Sequence, residues 1–262
     1  MRKVFAGLLV AGASLVVAQA AAAQAPGFTQ VSGSPFGTGT SPSSIAFSPD
    51  GHFVATANTG GNNVAVFGVS PGGSLGAAPF SPFPTGDAPS AVAFRPDSGF
   101  LAVTNRGSNT VQLYSVASNG VLSPAGFPAG TGVGPQSAAF SPNGALLAVA
   151  NRGDNTVAVY SVSASGLTFA AAAGTGGTTP QSVAFSPSGG LLAVANNGTN
   201  NVSVFSVASN GTLGLMGPPV GAGTAPNSVA FSPNGGQLAV ANTGSNNVSV
   251  YSVAANGALS AV

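Results

Sequence analysis

A repeat with a period near 46 residues organises the chain beyond its first forty positions. Every unit opens with a Pro-x-x-x-Ala-Phe segment, and successive units begin 47, 46, 45 and 46 residues apart. The five segments start at Pro42, Pro89, Pro135, Pro180 and Pro226. Self-similarity at this period predicts an array of small structural units that bury their apolar surfaces against one another.

Four short strands are predicted in each unit. The Pro-x-x-x-Ala-Phe segment leads through a turn such as Asn143-Gly144 into an apolar run, Leu146 to Ala150 in the third unit. An Asn-x-Gly-x-Asn loop follows, then a run rich in β-branched residues and a looser fourth run. The loops are Asn58–Asn62, Asn105–Asn109, Asn151–Asn155, Asn196–Asn200 and Asn242–Asn246. Four strands per unit of this length predict an all-β chain, a β-propeller of five four-stranded blades.

Blades stack against each other, so both surfaces of each sheet are buried and its strands become apolar at nearly every position. Small Ala residues allow neighbouring sheets to approach closely. We expect the repeated phenylalanines to fill the spaces between blades as core residues. They are Phe47, Phe94, Phe140, Phe185 and Phe231. Asn and Gly tolerate the positive φ angles of tight turns, so we interpret the Asn-x-Gly-x-Asn loops as structural.

The sequence predicts one propeller domain over residues 24–262, with repeats near 42–88, 89–134, 135–179, 180–225 and 226–262. Phe28 to Phe36 resembles a fourth strand that lacks its first three, and Leu259 to Val262 resembles the start of the same strand. We expect a closed ring in which residues 28–41 supply the outer strand of the fifth blade. The alternative is a truncated piece of a larger array.

The N-terminus has the pattern of a signal peptide over residues 1–23. Arg2 and Lys3 precede an apolar run from Val4 to Ala18, and small residues around Ala23 fit a cleavage site. A membrane anchor is the alternative, but this run is shorter than the roughly 20 residues that a spanning helix needs. We therefore expect a secreted, periplasmic or cell-surface protein with no membrane span after cleavage.

Charge is scarce, since Asp, Glu, Lys and Arg make up 3% of the residues. Five Lys and Arg side chains in total cannot neutralise a run of phosphates, which excludes a nucleic-acid partner. There is no Cys, so stability must come from packing. Isolated Asp residues and a single His do not have zinc-ligand spacing, so we expect neither a metal nor a cofactor. We also expect the protein to be a monomer.

The repeat units resemble those of the YVTN-type, lactonase-like bacterial β-propellers. The resemblance rests on segments such as Pro226-Asn-Ser-Val-Ala-Phe-Ser-Pro-Asn-Gly235 and Leu238-Ala-Val-Ala-Asn-Thr-Gly-Ser-Asn246, and it covers most of residues 28–262. It implies a propeller fold and, in some members, activity as 6-phosphogluconolactonases or muconate cycloisomerase-like proteins. The chain departs from the enzymes in its five units, its lack of Glu and its single His.

Alternating strand direction sorts the ionised residues onto two faces of the propeller. The first face carries the loops between second and third strands and the connections between blades, and the second face carries the other turns. The first face receives Asp87, Arg106, Arg152 and Asp154, and the second receives Asp50, His52, Arg95 and Asp97. Arg106 and Arg152 occupy equivalent positions in adjacent units, so we predict that they hold an anionic group, oriented by Asp87 or Asp154. The alternative is two solvated pairs.

No catalytic residue is predicted. Gly72-Gly-Ser74-Leu-Gly76 matches a nucleophile elbow, but the elbow requires a strand-to-helix turn and a nearby His, and His52 is distant in sequence. We therefore favour a non-catalytic exported propeller that binds a small polar ligand, a glycan or a protein partner. The alternative is a lactonase-like hydrolase acting on a sugar lactone or small acid.

Overall fold

The computed structural model describes residues 30–262, which form short antiparallel strands and one 3-10 turn at Thr59–Gly61. The predicted signal peptide, residues 1–23, lies outside the described residues. In the described part no helix is long and apolar enough to cross a membrane. The strands form five separate sheets, which confirms the predicted all-β propeller architecture with five blades.

Each sheet is one blade, and its first strand begins at the leading proline of a repeat. Blade 1 contains β1 (Pro42–Phe47), β2 (Phe53–Asn58), β3 (Asn63–Val69), β4 (Leu75–Ala77) and β5 (Phe83–Pro84). Blade 2 contains β6 (Pro89–Phe94), β7 (Phe100–Asn105), β8 (Thr110–Val116), β9 (Leu122–Pro124) and β10 (Ala129–Gly130). Blade 3 contains β11 (Pro135–Phe140), β12 (Leu146–Asn151), β13 (Thr156–Ser163) and β14 (Gly166–Gly174).

The last two blades repeat this pattern. Blade 4 contains β15 (Pro180–Phe185), β16 (Leu191–Asn196), β17 (Asn201–Val207), β18 (Leu213–Leu215) and β19 (Val220–Gly221). Blade 5 contains β20 (Pro226–Phe231), β21 (Gln237–Asn242), β22 (Asn247–Val253) and β23 (Leu259–Ala261). In every blade the first strand pairs with the second, the second with the third, and the third with the outer strand.

The outer strand varies more than the other three. In blades 1, 2 and 4 it consists of two short pieces that both pair with the third strand, whereas in blade 3 it is the continuous β14. The first pair of strands is more regular, although its register shifts after the leading proline in every blade. Proline has no backbone N–H to donate to the ladder, which explains an irregularity at that position.

The second strands lie in the middle of the core. β2 and β12 are buried along their whole lengths, and Leu147 and Leu192 have no exposed surface. Burial of one such side chain contributes roughly 1.5–3 kcal/mol. Four apolar clusters fill the four seams between consecutive blades.

The repeated phenylalanines join these seams, as predicted, with one exception. Phe94 is 8% exposed and packs with Val64 and Val66 of the preceding blade. Phe140, Phe185 and Phe231 pack against the clusters of the later seams. Phe47 is 64% exposed because no blade precedes it among the described residues, so its predicted place in a core is wrong.

Tyrosines tie three of the four seams through their hydroxyl groups. Tyr114 donates to the carbonyl of Pro84 at 3.0 Å, Tyr160 to that of Gly130 at 2.7 Å, and Tyr251 to that of Gly221. Each acceptor belongs to the outer strand of the preceding blade. A buried hydroxyl with a partner avoids the penalty of an unsatisfied donor, so these bonds fix one blade against the next.

The five blades form an open arc. The inner strands pack in the order β1, β6, β11, β15 and β20, and across residues 30–262 no strand of blade 5 pairs with blade 1. Ile45 and Phe47 are 67% and 64% exposed on the leading surface of blade 1. Val248 and Val250 are 62% and 36% exposed on the trailing surface of blade 5. The expected closed ring is therefore wrong for the described residues, and the arrangement is a partial propeller.

The expected closing strand is also absent between residues 30 and 41, where no strand forms. The outer position of the fifth sheet is occupied by β23, whose Leu259 and Ala261 pair with β22. Thr38 instead bonds to the blade that it leads into: its hydroxyl donates to Asn58 Oδ1 at 3.0 Å. This segment stays with blade 1 because its polar partners lie there.

Candidate functional site

The first face is built on the five Asn-x-Gly-x-Asn loops, and each loop is held by its two asparagines. The first Asn is at most 2% exposed, and its Nδ2 donates to the side chain five residues later, as from Asn151 to Thr156 Oγ1 at 3.1 Å. The last Asn has a φ between 51° and 61°, a left-handed conformation that Asn tolerates. The loops are thus closed by their own side chains.

The same loops fasten neighbouring blades together. Asn109 Oδ1 accepts the backbone N–H of Gly134 at 2.8 Å, and Asn155 Oδ1 accepts that of Thr179 at 2.7 Å. Asn62 and Asn200 accept equivalent bonds in the first and fourth seams. These contacts support the interpretation of the loops as structural, and they position whatever side chain occupies the second loop residue.

Arg106 and Arg152 occupy that second position in blades 2 and 3, and the structure brings them to the same backbone segment. Arg152 N donates to the carbonyl of Gly134 at 3.0 Å. A Cβ placed on Gly134 would lie 4.0 Å from Arg106 Cγ, so the stem of Arg106 passes over this glycine. Both residues are exposed, and within residues 30–262 neither forms a salt bridge.

The acidic residues of this face do not orient the arginines, contrary to the prediction. Asp154 Oδ2 accepts the backbone N–H of Val133 at 2.8 Å, and its Oδ1 accepts the hydroxyl of Thr156 at 2.8 Å. Oδ2 of Asp154 therefore stabilises the connection into blade 3, and Oδ1 stabilises the start of β13. Asp87 is exposed, and its carboxylate accepts no hydrogen bond from the described residues, although its backbone carbonyl accepts Gly107 N at 2.9 Å.

The other three blades carry polar residues at the position of the two arginines. The hydroxyl of Thr59 donates to the carbonyl of Pro89 at 2.6 Å, and that of Thr243 to the carbonyl of Ala225 at 2.9 Å. Asn197 Nδ2 donates to the carbonyl of Pro226 at 3.3 Å. These three side chains are engaged with backbone, whereas the guanidinium groups of Arg106 and Arg152 have no hydrogen-bond partner between residues 30 and 262.

On the second face, Arg95 and Asp97 form a structural pair. Arg95 Nε donates to Asp97 Oδ1 at 2.8 Å, a second guanidinium nitrogen contacts Oδ2, and the guanidinium carbon lies 4.2 Å from the centre of the Phe100 ring. The Arg95 hydrogen bonds hold the pKa of Asp97 below its usual value. Stacked and paired in this way, Arg95 stabilises the turn and is not free for a ligand.

The second face also contains a cleft that sequence reasoning missed. A cavity of about 730 Å³ is lined by Asp50 and His52 from the β1–β2 turn and by Ser70 and Ser74 from the β3–β4 turn. His52 Nδ1 lies 3.2 Å from Asp50 Oδ2, and the hydroxyl oxygens of Ser70 and Ser74 are 2.7 Å apart. His52 and Ser74 are 22 positions apart in the sequence, but the β1–β2 and β3–β4 turns that carry them lie on the same face because the strand direction alternates.

Metal-binding side chains are sparse. Among the described residues there is no group of three or more His, Cys, Asp or Glu side chains that could hold a metal ion.

The fold is similar to that of several solved structures. The periplasmic gluconolactonase of Pseudomonas aeruginosa is 24% identical with a TM-score of 0.70, over 84% of this chain and 69% of that one. A protein from Lactobacillus plantarum is 24% identical with a TM-score of 0.75, over 84% and 70%. Hydrazine synthase of Kuenenia stuttgartiensis is 21% identical with a TM-score of 0.67, over 89% and 69%. At these identities the likeness concerns the fold.

The sequence matches a protein family as a whole, although no individual curated protein matches it. Residues 11–134 and 123–225 match the family described as lactonase, 7-bladed beta-propeller. The five blades described above, with their repeated loops and open ends, account for a large part of such a propeller. The chain therefore belongs to the lactonase family of seven-bladed β-propellers.

Proposed function

We propose that this protein hydrolyses the lactone ring of a small sugar acid and holds an anionic group of its substrate between Arg106 and Arg152. The observation that carries the proposal is a pair of exposed arginines at Gly134, which Arg106 contacts through its stem and Arg152 through its backbone N–H; their guanidinium groups have no hydrogen-bond partner in the described chain. Guanidinium groups bind carboxylate and phosphate through paired, charge-assisted hydrogen bonds. Membership of the lactonase family supplies the reaction class.

The polar surroundings suit a sugar-derived ligand. Thr59, Asn197 and Thr243 occupy the equivalent loop positions; they donate to backbone carbonyls, and their side-chain oxygens can accept hydrogen bonds from sugar hydroxyl groups. Asp87 lies next to the loop of Arg106 and has a carboxylate without a hydrogen bond from residues 30–262. In the proposed reaction Asp87 accepts a proton from water as the water oxygen bonds to the lactone carbonyl carbon, and it returns that proton to the ring oxygen when the ring C–O bond breaks. Asp154 already accepts hydrogen bonds from Val133 N and the Thr156 hydroxyl.

This proposal replaces the scaffold function favoured by the sequence. Regular repeats and the lack of Glu pointed to a non-catalytic binding protein, but the family match supports the alternative, lactonase-like interpretation. A scaffold also gives no reason for two adjacent arginines at positions where the other blades carry neutral side chains bonded to backbone.

The test compares a neutral and an anionic lactone. We expect turnover of glucono-δ-lactone and of its 6-phosphate, and we expect the R106A/R152A variant to lose at least tenfold in kcat/KM on the phosphorylated substrate. Each hydrogen bond to a charged group is worth about 1.5–3 kcal/mol, so loss of both sites reaches that effect easily. The effect on the neutral lactone should be much smaller.

The matched control is T59A/T243A, which changes the same loop position in blades 1 and 5 without removing a charge. It should retain the preference for the phosphorylated lactone. Absence of turnover of either lactone by the wild-type protein would reject the hydrolase proposal. Unchanged kinetics in R106A/R152A would reject the arginine site.

We also propose that the protein is exported. The proposal is supported by the signal-peptide pattern of residues 1–23 and by the periplasmic location stated for the Pseudomonas aeruginosa gluconolactonase. Sequencing the N-terminus of the protein recovered from outside the cytoplasm should give Gln24 as the first residue. A first residue at Met1 would contradict the proposal.

A further inference from the structure

The cleft on the second face combines an imidazole, a carboxylate and two serine hydroxyls, a set that none of the other four blades has. His52 stands where the other turns have Gly99, Ala145, Gly190 and Gly236. Ser70 and Ser74 stand where blade 2 has Ala117 and Val121 and blade 5 has Ala254 and Ala258, whereas blades 3 and 4 keep a hydroxyl there, at Ser163 and Thr212. Because the repeats share one backbone plan, blades 2 and 5 show what the turn requires for folding, and they require none of the three polar side chains.

The two carboxylate oxygens of Asp50 have different partners: Oδ1 closes the turn and Oδ2 lies beside His52. Its Oδ1 accepts the hydroxyl of Ser48 at 2.5 Å and the backbone N–H of His52 at 3.0 Å, which is the turn closure made by Asn143 and Asn234 in other blades. Its Oδ2 lies 3.2 Å from His52 Nδ1. An amide in place of this carboxylate presents an NH₂ group that cannot accept the imidazole proton.

The ionisation of Asp50 follows from these contacts. The hydrogen bond from Ser48, followed by smaller contributions from His52, lowers the pKa of Asp50 to about 2. Asp50 is therefore ionised near neutral pH and holds the Nδ1 proton of His52. Nε2 of a neutral imidazole in this tautomer has a lone pair available to a substrate.

The serine hydroxyls supply hydrogen-bond donors to the same cavity. Ser70 Oγ and Ser74 Oγ are 2.7 Å apart, so one hydroxyl donates to the other and the second retains its own proton. That proton is available to the carbonyl oxygen of a bound ester. Phe53, Leu75 and Ala77 also line the cavity and provide apolar surface for the acyl chain.

We propose that His52, oriented by Asp50, is the general base of a second hydrolytic site, which takes small neutral carboxylic esters. His52 Nε2 removes a proton from water as the water oxygen bonds to the ester carbonyl carbon. The acyl C–O bond then breaks, and the leaving alkoxide takes the proton from His52. Ester and water give a carboxylic acid and an alcohol, and His52 returns to its neutral form. This site is separate from the arginine pair and does not depend on the function proposed for it.

The charged groups around His52 lie on two turns. Among the residues that line the cavity, Asp50 is the one other ionisable group. The β6–β7 turn of blade 2 packs against the Asp50 turn, where the Ser98 hydroxyl accepts Asp50 N at 3.1 Å, and its own charged residues, Arg95 and Asp97, are paired with each other. His52 is also the sole histidine of the sequence. A histidine-dependent pH profile measured on protein without a polyhistidine tag therefore reports this residue alone.

The experiment measures hydrolysis of p-nitrophenyl acetate by the full chain and by H52A. General-base catalysis contributes typically 10² to 10⁴ in rate, so we expect H52A to lose at least tenfold in kcat/KM. The midpoint of the pH–rate profile should coincide with the midpoint of the His52 imidazole titration followed by NMR. Equal rates for wild type and H52A, or a pH profile unrelated to that titration, would overturn the proposal.

A matched control separates the cleft from any exposed imidazole. Ala145 is the exposed residue equivalent to His52 in blade 3, where Asn143 replaces the carboxylate and Ser163 and Ser165 form a serine pair. H52A/A145H therefore moves the imidazole to a turn that lacks the acid. We expect its rate to stay at the level of H52A, and recovery of the wild-type rate would overturn the proposal.

Asp50 is assigned as a positioning residue, which requires a readout beyond the rate. D50N should lower kcat and leave KM nearly unchanged, because the amide NH₂ group does not accept the Nδ1 proton that orients the ring, and D50E should recover part of kcat. An effect on KM alone, or no recovery in D50E, would contradict this role for Asp50. All of these substitutions lie in exposed turns, and thermal unfolding of each variant checks that the blades remain folded.

Discussion

The seam between blades 1 and 2 and the leading surface of blade 1 present almost the same side chains in opposite environments. Val92 and Phe94 are 6% and 8% exposed in the seam, whereas their equivalents Ile45 and Phe47 are 67% and 64% exposed. The trailing surfaces differ in the same way, since Val66 has no exposed surface and Val250 is 36% exposed. Burial in this fold is therefore supplied by the neighbouring blade, and one repeat does not bury both of its surfaces.

The largest expected difference between a seam and an open surface is in the cost of truncating a core side chain. Leu192→Ala, in the seam between blades 3 and 4, should lower the free energy of unfolding by about 2–5 kcal/mol. Phe47→Ala on the leading surface should cost much less, because most of the ring is already in water. Denaturant unfolding followed by circular dichroism measures both. Equal costs would mean that Phe47 is covered in solution.

The loop asparagines allow a seam and an open surface to be compared at a single hydrogen bond. Asn155→Gly keeps a residue suited to positive φ but leaves the Thr179 N–H without its partner, at a cost of about 1–3 kcal/mol. Asn246→Gly removes the equivalent side chain from blade 5, where Oδ1 accepts no bond from the described residues, and should be close to neutral. Thermal denaturation of the two variants gives the difference, and a larger loss in Asn246→Gly would contradict it.

The open leading surface should also bind apolar probes. A cavity of about 540 Å³ there is lined by Phe36, Ile45, Val54 and Phe67 among others. We expect the I45S/F47S variant to bind less of the dye ANS while its stability changes by no more than about 0.5 kcal/mol. Undiminished dye binding would show that the dye reports another surface, and V248S/V250S tests the trailing surface in the same way.

The smallest expected effect concerns acid. The folded pKa of Asp50 is about 2, below its ordinary value, so its contribution to stability is present above about pH 4 and is lost as the pH falls through 2. Blade 3 closes the same turn with Asn143, which does not titrate. Asp50→Asn should therefore flatten the stability profile slightly between pH 4 and 2, measured by urea unfolding, and the change should be small because the group is largely exposed. A steeper profile in the variant would refute this.

The strand pattern was predictable because every blade repeats the same signals. Gly and Asn mark the turns, and runs such as Leu191 to Ala195 are apolar throughout, as a strand buried on both sides requires. Closure was not predictable from these signals. It depends on the angle between consecutive blades, and the contacts that set this angle, such as Asn109 with Gly134 N, join residues of different units.

The candidate sites were predictable in part. Equivalent positions in adjacent blades placed Arg106 and Arg152 on one face, and the structure brings both to Gly134. The role expected of Asp154 failed because the backbone N–H of Val133 lies closer to its carboxylate than either guanidinium does. The sequence separation of His52 and Ser74 gives no sign of the cleft, whereas strand alternation places their two turns on one face.

The inter-blade tyrosines are intrinsic spectroscopic probes of the seams in which they lie. The sequence has no Trp, so intrinsic fluorescence comes from Tyr114, Tyr160 and Tyr251, one at each of three seams. The seam between blades 3 and 4 has Phe205 in place of a tyrosine and contributes no tyrosine fluorescence. Burial raises the pKa of Tyr114 and of Tyr160 to about 12, so tyrosinate absorbance at lower pH would signal that the first two seams have opened.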